Sequence, residues 1–153
     1  ILQTGPGVGG HCIAVDPWFI VDRSPEHSRL IKTARDVNDD KPNWVIDRVK
    51  KCADKFKNPK IACLGLAFKA DVDDLRESPA FDIVLHLQQK EIGTLLVCEP
   101  NLQSHDQFEL VSLEAAVAAA DIVLLLVDHK PFKSLTAVDF KEKIVIDTRG
   151  IVR

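Results

Sequence analysis

This 153-residue sequence has no methionine, no paired C-x-x-C spacing, no long apolar run and no block of like charge. Its four cysteines, Cys12, Cys52, Cys63 and Cys98, are scattered. A disulfide framework is not expected of a chain that is 46% apolar and can build a core without one, and free thiols fit a reducing, cytoplasmic setting. The longest wholly apolar run, residues 122–127, is far too short to span a bilayer, and no secretory signal is apparent. With 20 basic against 23 acidic residues and a net charge of −3, the chain lacks the clustered basic surface that nucleic acid requires. The opening residues, ILQTG, hold no methionine and run directly into a glycine turn, which reads as a piece of something longer. The segment GLAFKADVDDLRESPA (65–80), after the first run that reads as a strand, does not match the dinucleotide fingerprint G-x-G-x-x-G.

Alternating apolar runs and helical patterns are present instead. Residues 1–15 read as a loop, followed by a short helix near 16–22 that Ser24-Pro25 ends. From Glu26 to about Phe56, apolar residues keep helical spacing through Leu30, Ala34, Val37, Val45, Val49, Cys52 and Phe56. Pro42 interrupts this run, but Val37 and Trp44 are seven residues apart, so the expectation is one long kinked helix, with two helices as the alternative. Such a helix either packs on another subunit or domain or covers its own sheet. Asn58-Pro59 marks a boundary between residues 1–57 and 58–153. Strands are then expected at KIACLGL (60–66), TLLVC (94–98), DIVLLLV (121–127) and KIVID (143–147). Helices are expected from Pro79 to about Lys90, with Ser78 as N-cap, near 113–120, and near 135–141. The pattern predicts a small doubly wound α/β domain with a parallel sheet covered on both faces.

Ligands of open α/β sheets bind beyond the carboxyl ends of the strands. Two segments expected there carry cations: GLAFKADVDDLRESPA (65–80), with Lys69 and Arg76, and TRG (148–150), with Arg149. A phosphorylated ligand near a helix N-terminus suits the first; solvated loop charges are the alternative. Asp71, Asp73 and Asp74 have no neighbouring histidine or cysteine to complete a metal site, so pairing with Lys69 and Arg76 is the expectation. The other singular stretch is GPGVGGHCIAVDP (5–17). Its glycines keep side chains away from Cys12, leaving room for a substrate, and a following helix could place its positive end near the thiol. Cys12 is therefore either a nucleophile or a packed thiol in a glycine turn, and Asp16 either caps the helix or positions a water. His11 adjoins Cys12, but neighbouring side chains usually diverge.

GPGVGGHCIAVDPWF resembles the catalytic-cysteine segment of the UDP-glucose/GDP-mannose dehydrogenase family, and GLAFKADVDDLRESPA is similar to that family's second signature. HCIAVDPWF with DTRG resembles the branch whose sugar is UDP-N-acetyl-D-mannosamine, including Ala14 where many relatives have proline. The resemblance covers essentially the whole chain in order. It implies a catalytic loop and long helix followed by a C-terminal, Rossmann-like UDP-sugar-binding domain, with the NAD-binding domain lying upstream. It further implies oxidation of a UDP-sugar C6 alcohol to a carboxylate with NAD, and a homodimer formed through the long helix. Cys12 is then the nucleophile that forms a thiohemiacetal and a thioester, and Asp16 assists water or proton transfer. Gly9, Phe68, Lys69 and Arg149 contact the UDP-sugar, and Arg76 reaches NAD. The family's lysine–asparagine acid/base pair and an arginine from the neighbouring subunit would precede Ile1. A competing reading is a UDP-recognising, dimerising module without chemistry; a third is a cysteine hydrolase, which needs a histidine base within reach of Cys12.

Overall fold

A computed structural model describes residues 4–152. Four short apolar segments form the centre: β1 (Lys60–Leu64), β2 (Thr94–Cys98), β3 (Ile122–Leu125) and β4 (Ile144–Asp147). All pair in parallel, in the order β2-β1-β3-β4. Strand side chains alternate between faces, so two separate cores follow. Ile61, Cys63, Ile122 and Leu124 enter one core; Ala62, Leu64, Val123 and Leu125 enter the other. The two inner strands are buried on both faces, which is why they read as unbroken apolar runs.

Helix α3 (Pro79–Gln89) and the second half of α2 (Arg29–Ala53) cover the first face with Ile83, Val84, Leu87, Val45, Ile46 and Val49. Helix α4 (Leu113–Ala119), Phe132 and Phe140 cover the second. Ser78 caps α3 as expected, its hydroxyl accepting the Phe81 amide, with Pro79 in the first turn, where a missing N–H costs nothing. Burial holds the Cys63 thiol up at about 12 and, with help from nearby carboxylates, Cys98 at about 11, so both pack as neutral hydrophobes.

Helix α2 runs continuously through Pro42 and starts at Arg29 rather than Glu26. Its apolar residues do not form one stripe. Leu30, Val37 and Trp44, seven residues apart, are 83%, 67% and 52% exposed, whereas Val45, Ile46, Val49 and Ala53 are buried on another side of the helix. The helix thus covers its own sheet and also presents an outward apolar line. Helix α1 (Asp16–Arg23) precedes it and buries none of its residues.

The helix expected near 135–141 is absent. A 3₁₀ turn spans Lys130–Ser134, with Pro131 suited to its start, and 136–141 is a run of tight turns. The amides of Asp139, Phe140 and Lys141 donate to carbonyls three residues back, and the Asp139 carboxylate accepts the amide and the hydroxyl of Thr136 (2.7 and 2.9 Å), so the segment closes as successive turns. No helix among the described residues is long and apolar enough to cross a membrane.

The chain passes from β1 through α3 to β2, then returns through α4 to β3 on the other side of β1. The sheet therefore has its switch point between β1 and β3. In sheets of this kind ligands bind beyond the carboxyl ends of the strands at that point. Here the segments leaving β1 and β3 touch, the Leu126 and Val127 amides donating to the Leu64 carbonyl and the Asp71 amide to His129.

Candidate active site

The cysteine loop is held in place by α2. Asn38 exchanges two hydrogen bonds with Val8: its Oδ1 accepts the Val8 amide at 2.7 Å, and its Nδ2 donates to the Val8 carbonyl at 3.1 Å. Arg35, almost fully buried, pairs through Nη2 with Asp39 at 2.6 Å and directs Nη1 at the carbonyls of Val8 (3.5 Å) and Ile13 (3.4 Å). Its Nε has no partner among the described residues. Arg35 borders a cleft of about 290 Å³ that Val8, Ala14, Trp18, Glu77 and Pro79 also line. This cleft takes in none of Cys12, Lys69 and Arg149.

The same loop lies against the segment that leaves β1. Gly9 is buried so tightly that a Cβ there would strike the Glu77 carbonyl and come within 2.7 Å of Pro79. Gly10, at φ +98°, faces the Phe68 ring, and a Cβ would stand 2.9 Å from it. Glycine is required at both positions, by close approach at the first and by approach and backbone conformation at the second. Gly5 lies against the Arg149 guanidinium. Both cation-bearing strand ends thus meet the glycine loop.

Cys12 is exposed, with Sγ 3.6 Å from His11 Nδ1. The neighbouring side chains converge here rather than diverge, because residues 11–15 form a tight turn. The Cys12 carbonyl accepts the amides of Val15 (3.0 Å) and Asp16 (2.8 Å), so its backbone takes the first amides at the start of α1. Val15, not Asp16, occupies the N-cap position, and the Asp16 side chain forms no hydrogen bond among the described residues. It stands exposed in the first turn, where a carboxylate is favoured by the helix dipole. Among the described residues, His11 is the one histidine brought to hydrogen-bonding range of Cys12.

Lys69 is exposed and forms no ion pair among the described residues; the pairing expected between it and the neighbouring aspartates does not occur. Asp71 reaches Lys130 instead, at 3.9 Å. Arg76 does pair as expected, through Nε and Nη2 with Asp74 (2.6 Å at the shortest), and this hydrogen bonding holds the Asp74 carboxyl at about 2. Arg149 forks onto Asp128 through Nε (2.9 Å) and Nη2 (2.6 Å), and Lys133 stands 3.5 Å from the other Asp128 oxygen. Burial pushes the Asp128 carboxyl up, but the charge and hydrogen bonds of Arg149 outweigh it and leave Asp128 below its ordinary value. The turn carrying Arg149 is fixed by Asp147, whose carboxylate accepts the amides of Arg149, Gly150 and Val152.

A second group had no signal in the sequence. Glu99, just past β2, is buried and accepts the amides of Leu66 (2.7 Å) and Ala67 (3.2 Å). His129 donates from Nε2 to Glu99 at 3.1 Å, and its Nδ1 accepts the Asp71 amide at 2.9 Å. Burial pushes the Glu99 carboxyl up, and the bonds from His129, Leu66 and Asn101 more than offset it, leaving it below its ordinary value. Glu99 thus takes up the two amides that follow Gly65 at the end of β1.

The glycine loop before Cys12 thus lies against Phe68 and Arg149 at the ends of a parallel α/β sheet. The chain belongs to the UDP-glucose/GDP-mannose dehydrogenase family: the profile of its UDP binding domain matches residues 62–153, and that of its central domain matches residues 1–40. The chain is 58% identical, over 99% of its length and 37% of the relative's, to the NDP-N-acetyl-D-galactosaminuronic acid dehydrogenase of Ralstonia nicotianae. It is 49% identical, over its whole length and 40% of the relative's, to the UDP-N-acetyl-D-mannosamine dehydrogenase of Salmonella typhi. Among solved structures, the UDP-N-acetyl-mannosamine dehydrogenase of S. aureus superposes with a TM-score of 0.84 at 42% identity, covering all of this chain and 37% of that one. The chain thus spans well under half the length of the relatives it matches.

Proposed function

We propose that this chain is the cysteine-bearing and UDP-sugar-binding part of an NAD-dependent UDP-sugar 6-dehydrogenase that converts UDP-N-acetyl-D-mannosamine to the corresponding uronate. The observation that supports the reading is the meeting of Gly5, Gly9 and Gly10, the loop that leads into Cys12, with Arg149, Glu77 and Phe68. Lys69 and Arg149 neutralise the diphosphate. Phe68 and Gly9 shape the wall beside the sugar, and Asp16 orients water or a proton near Cys12. When bound, NAD supplies the hydride acceptor for both oxidations. The Cys12 thiolate adds to the C6 aldehyde carbonyl, giving a thiohemiacetal; after oxidation to the thioester, water attacks the acyl carbon, and the C–S bond breaks to release carboxylate and thiol. Arg76 meets the cofactor from the rim.

The outward line of Leu30, Val37 and Trp44 supports a homodimer formed through α2. Nucleotide substrates and buried free thiols fit the cytosol. The relative named for N-acetyl-D-galactosaminuronic acid favours a second sugar of the same 2-acetamido class, and turnover of both UDP-sugars decides between them. The competing reading, a binding module without chemistry, predicts an ordinary, slow thiol at Cys12. In the intact enzyme, Cys12→Ala is expected to cut acid production by about a thousandfold or more, read as uronate formed per NAD reduced. Acid formation within a few-fold of wild type would remove Cys12 from the chemistry. These 153 residues alone are expected to show no turnover.

A further inference from the structure

We infer that His129, with Glu99, is a positioning pair that clasps the segment carrying Phe68 and Lys69 to the end of β3; this rests on the UDP-sugar reading of that segment. His129 is fully buried and follows Asp128, which holds Arg149. Two consecutive residues beyond β3 therefore hold the two cation-bearing strand ends. The clasp closes at both ends of the segment. At its start, Glu99 Oε2 accepts the amides of Leu66 and Ala67. At its finish, His129 Nδ1 accepts the Asp71 amide, while the Asp71 carboxylate accepts the Lys130 amide at 2.9 Å. Phe68 and Lys69 lie between these two anchors. Because Nδ1 accepts a backbone N–H, the imidazole proton sits on Nε2, which places a donor against Glu99.

Asp71 sits at φ +60°, a left-handed conformation that a non-glycine residue keeps only when its surroundings hold it. Asn101 adds a further hold: its amide and side-chain nitrogen donate to Glu99 Oε1, and Nδ2 lies 2.9 Å from His129 Nδ1. Glu99 and His129 are both buried. Their effect on a ligand passes through the backbone of the segment.

The test compares two substitutions in the intact protein. In His129→Asn, Oδ1 takes the place of Nδ1 and still accepts the Asp71 amide; in His129→Gln, the amide group reaches only the ε position, and the Asp71 N–H loses its acceptor. Amide hydrogen exchange over residues 66–71 and UDP affinity by calorimetry are read for each. Leaving a buried donor unpaired predicts exchange about tenfold or more faster, and UDP binding about fivefold or more weaker, in the Gln variant, with most of both recovered in the Asn variant. Unchanged exchange in the Gln variant, or an equal rise across the whole domain, overturns the clasp. A loosened segment with undiminished UDP affinity overturns its positioning role. Absence of UDP binding by wild type refutes the ligand reading instead, and exchange still decides the clasp. Should the Gln variant not fold, Asp71→Gly keeps the amide that His129 accepts but removes the carboxylate that accepts the Lys130 amide, the other bond at this end of the clasp, and the same two readouts apply.

Discussion

Helix α1 and strand β3 are both rich in apolar residues and use them in opposite ways. Strand β3 buries all of Ile122, Val123, Leu124 and Leu125 between two layers of helices. Helix α1 buries none of its residues and leaves Phe19 67% and Ile20 51% exposed, alongside Ile13 and Val15 in the preceding turn. The sheet region satisfies itself, with each strand face matched by its own helix or turn. The cysteine arm is held mostly by polar bonds from Arg35 and Asn38, and its apolar side chains face outward. The contrast separates a region whose stability is internal from one whose purpose is to present a loop and a face.

Leu124→Ala should have the largest effect on stability, about 2–5 kcal/mol, because the central strand cannot collapse around the lost methyls. Chemical denaturation measures this, and a loss below about 1 kcal/mol would mean the sheet is less self-sufficient than its burial implies. Glu99→Gln comes next, at about 1–3 kcal/mol, and sharpens the comparison through pH. The folded-state pKa of Glu99 lies below its ordinary 4.5, so its stabilisation is complete above that value and is lost as the pH falls through the lower folded one. Wild type should therefore lose more melting temperature than the Gln variant between roughly pH 5 and 3. Parallel curves would show that the carboxylate is not what the strand ends depend on. Phe19→Ser should change monomer stability least, by about 0.5 kcal/mol or less. A loss as large as that of Leu124→Ala would erase the distinction between the two regions.

Much of the fold was readable because burial leaves periodic traces. KIACL and IVLL are apolar without alternation since both faces are covered, and Ser78-Pro79 announces a helix start through its own backbone chemistry. The segment 135–141, read as a short helix, forms successive turns closed three residues back instead. Cys12, Gly9, Phe68, Lys69 and Arg149 were picked out in three short segments, and the structure brings the glycine loop to Phe68 and Arg149. Arg35, Asn38, Glu99, Asp128 and His129 were not visible. Each acts on residues 21 to 58 positions away, and a lone buried polar residue carries no local pattern.

The amino-acid sequence alone determined the four strands, the helices other than the one expected near 135–141, and the three segments that carry the candidate site, because those properties leave patterns among neighbours along the chain. Only the tertiary structure decided which side of α2 faces the sheet, that Arg149 is held by Asp128, and that Glu99 and His129 grip the segment after β1. Those depend on groups that become neighbours only when strands distant in sequence lie side by side, where a buried charge or amide must find a partner.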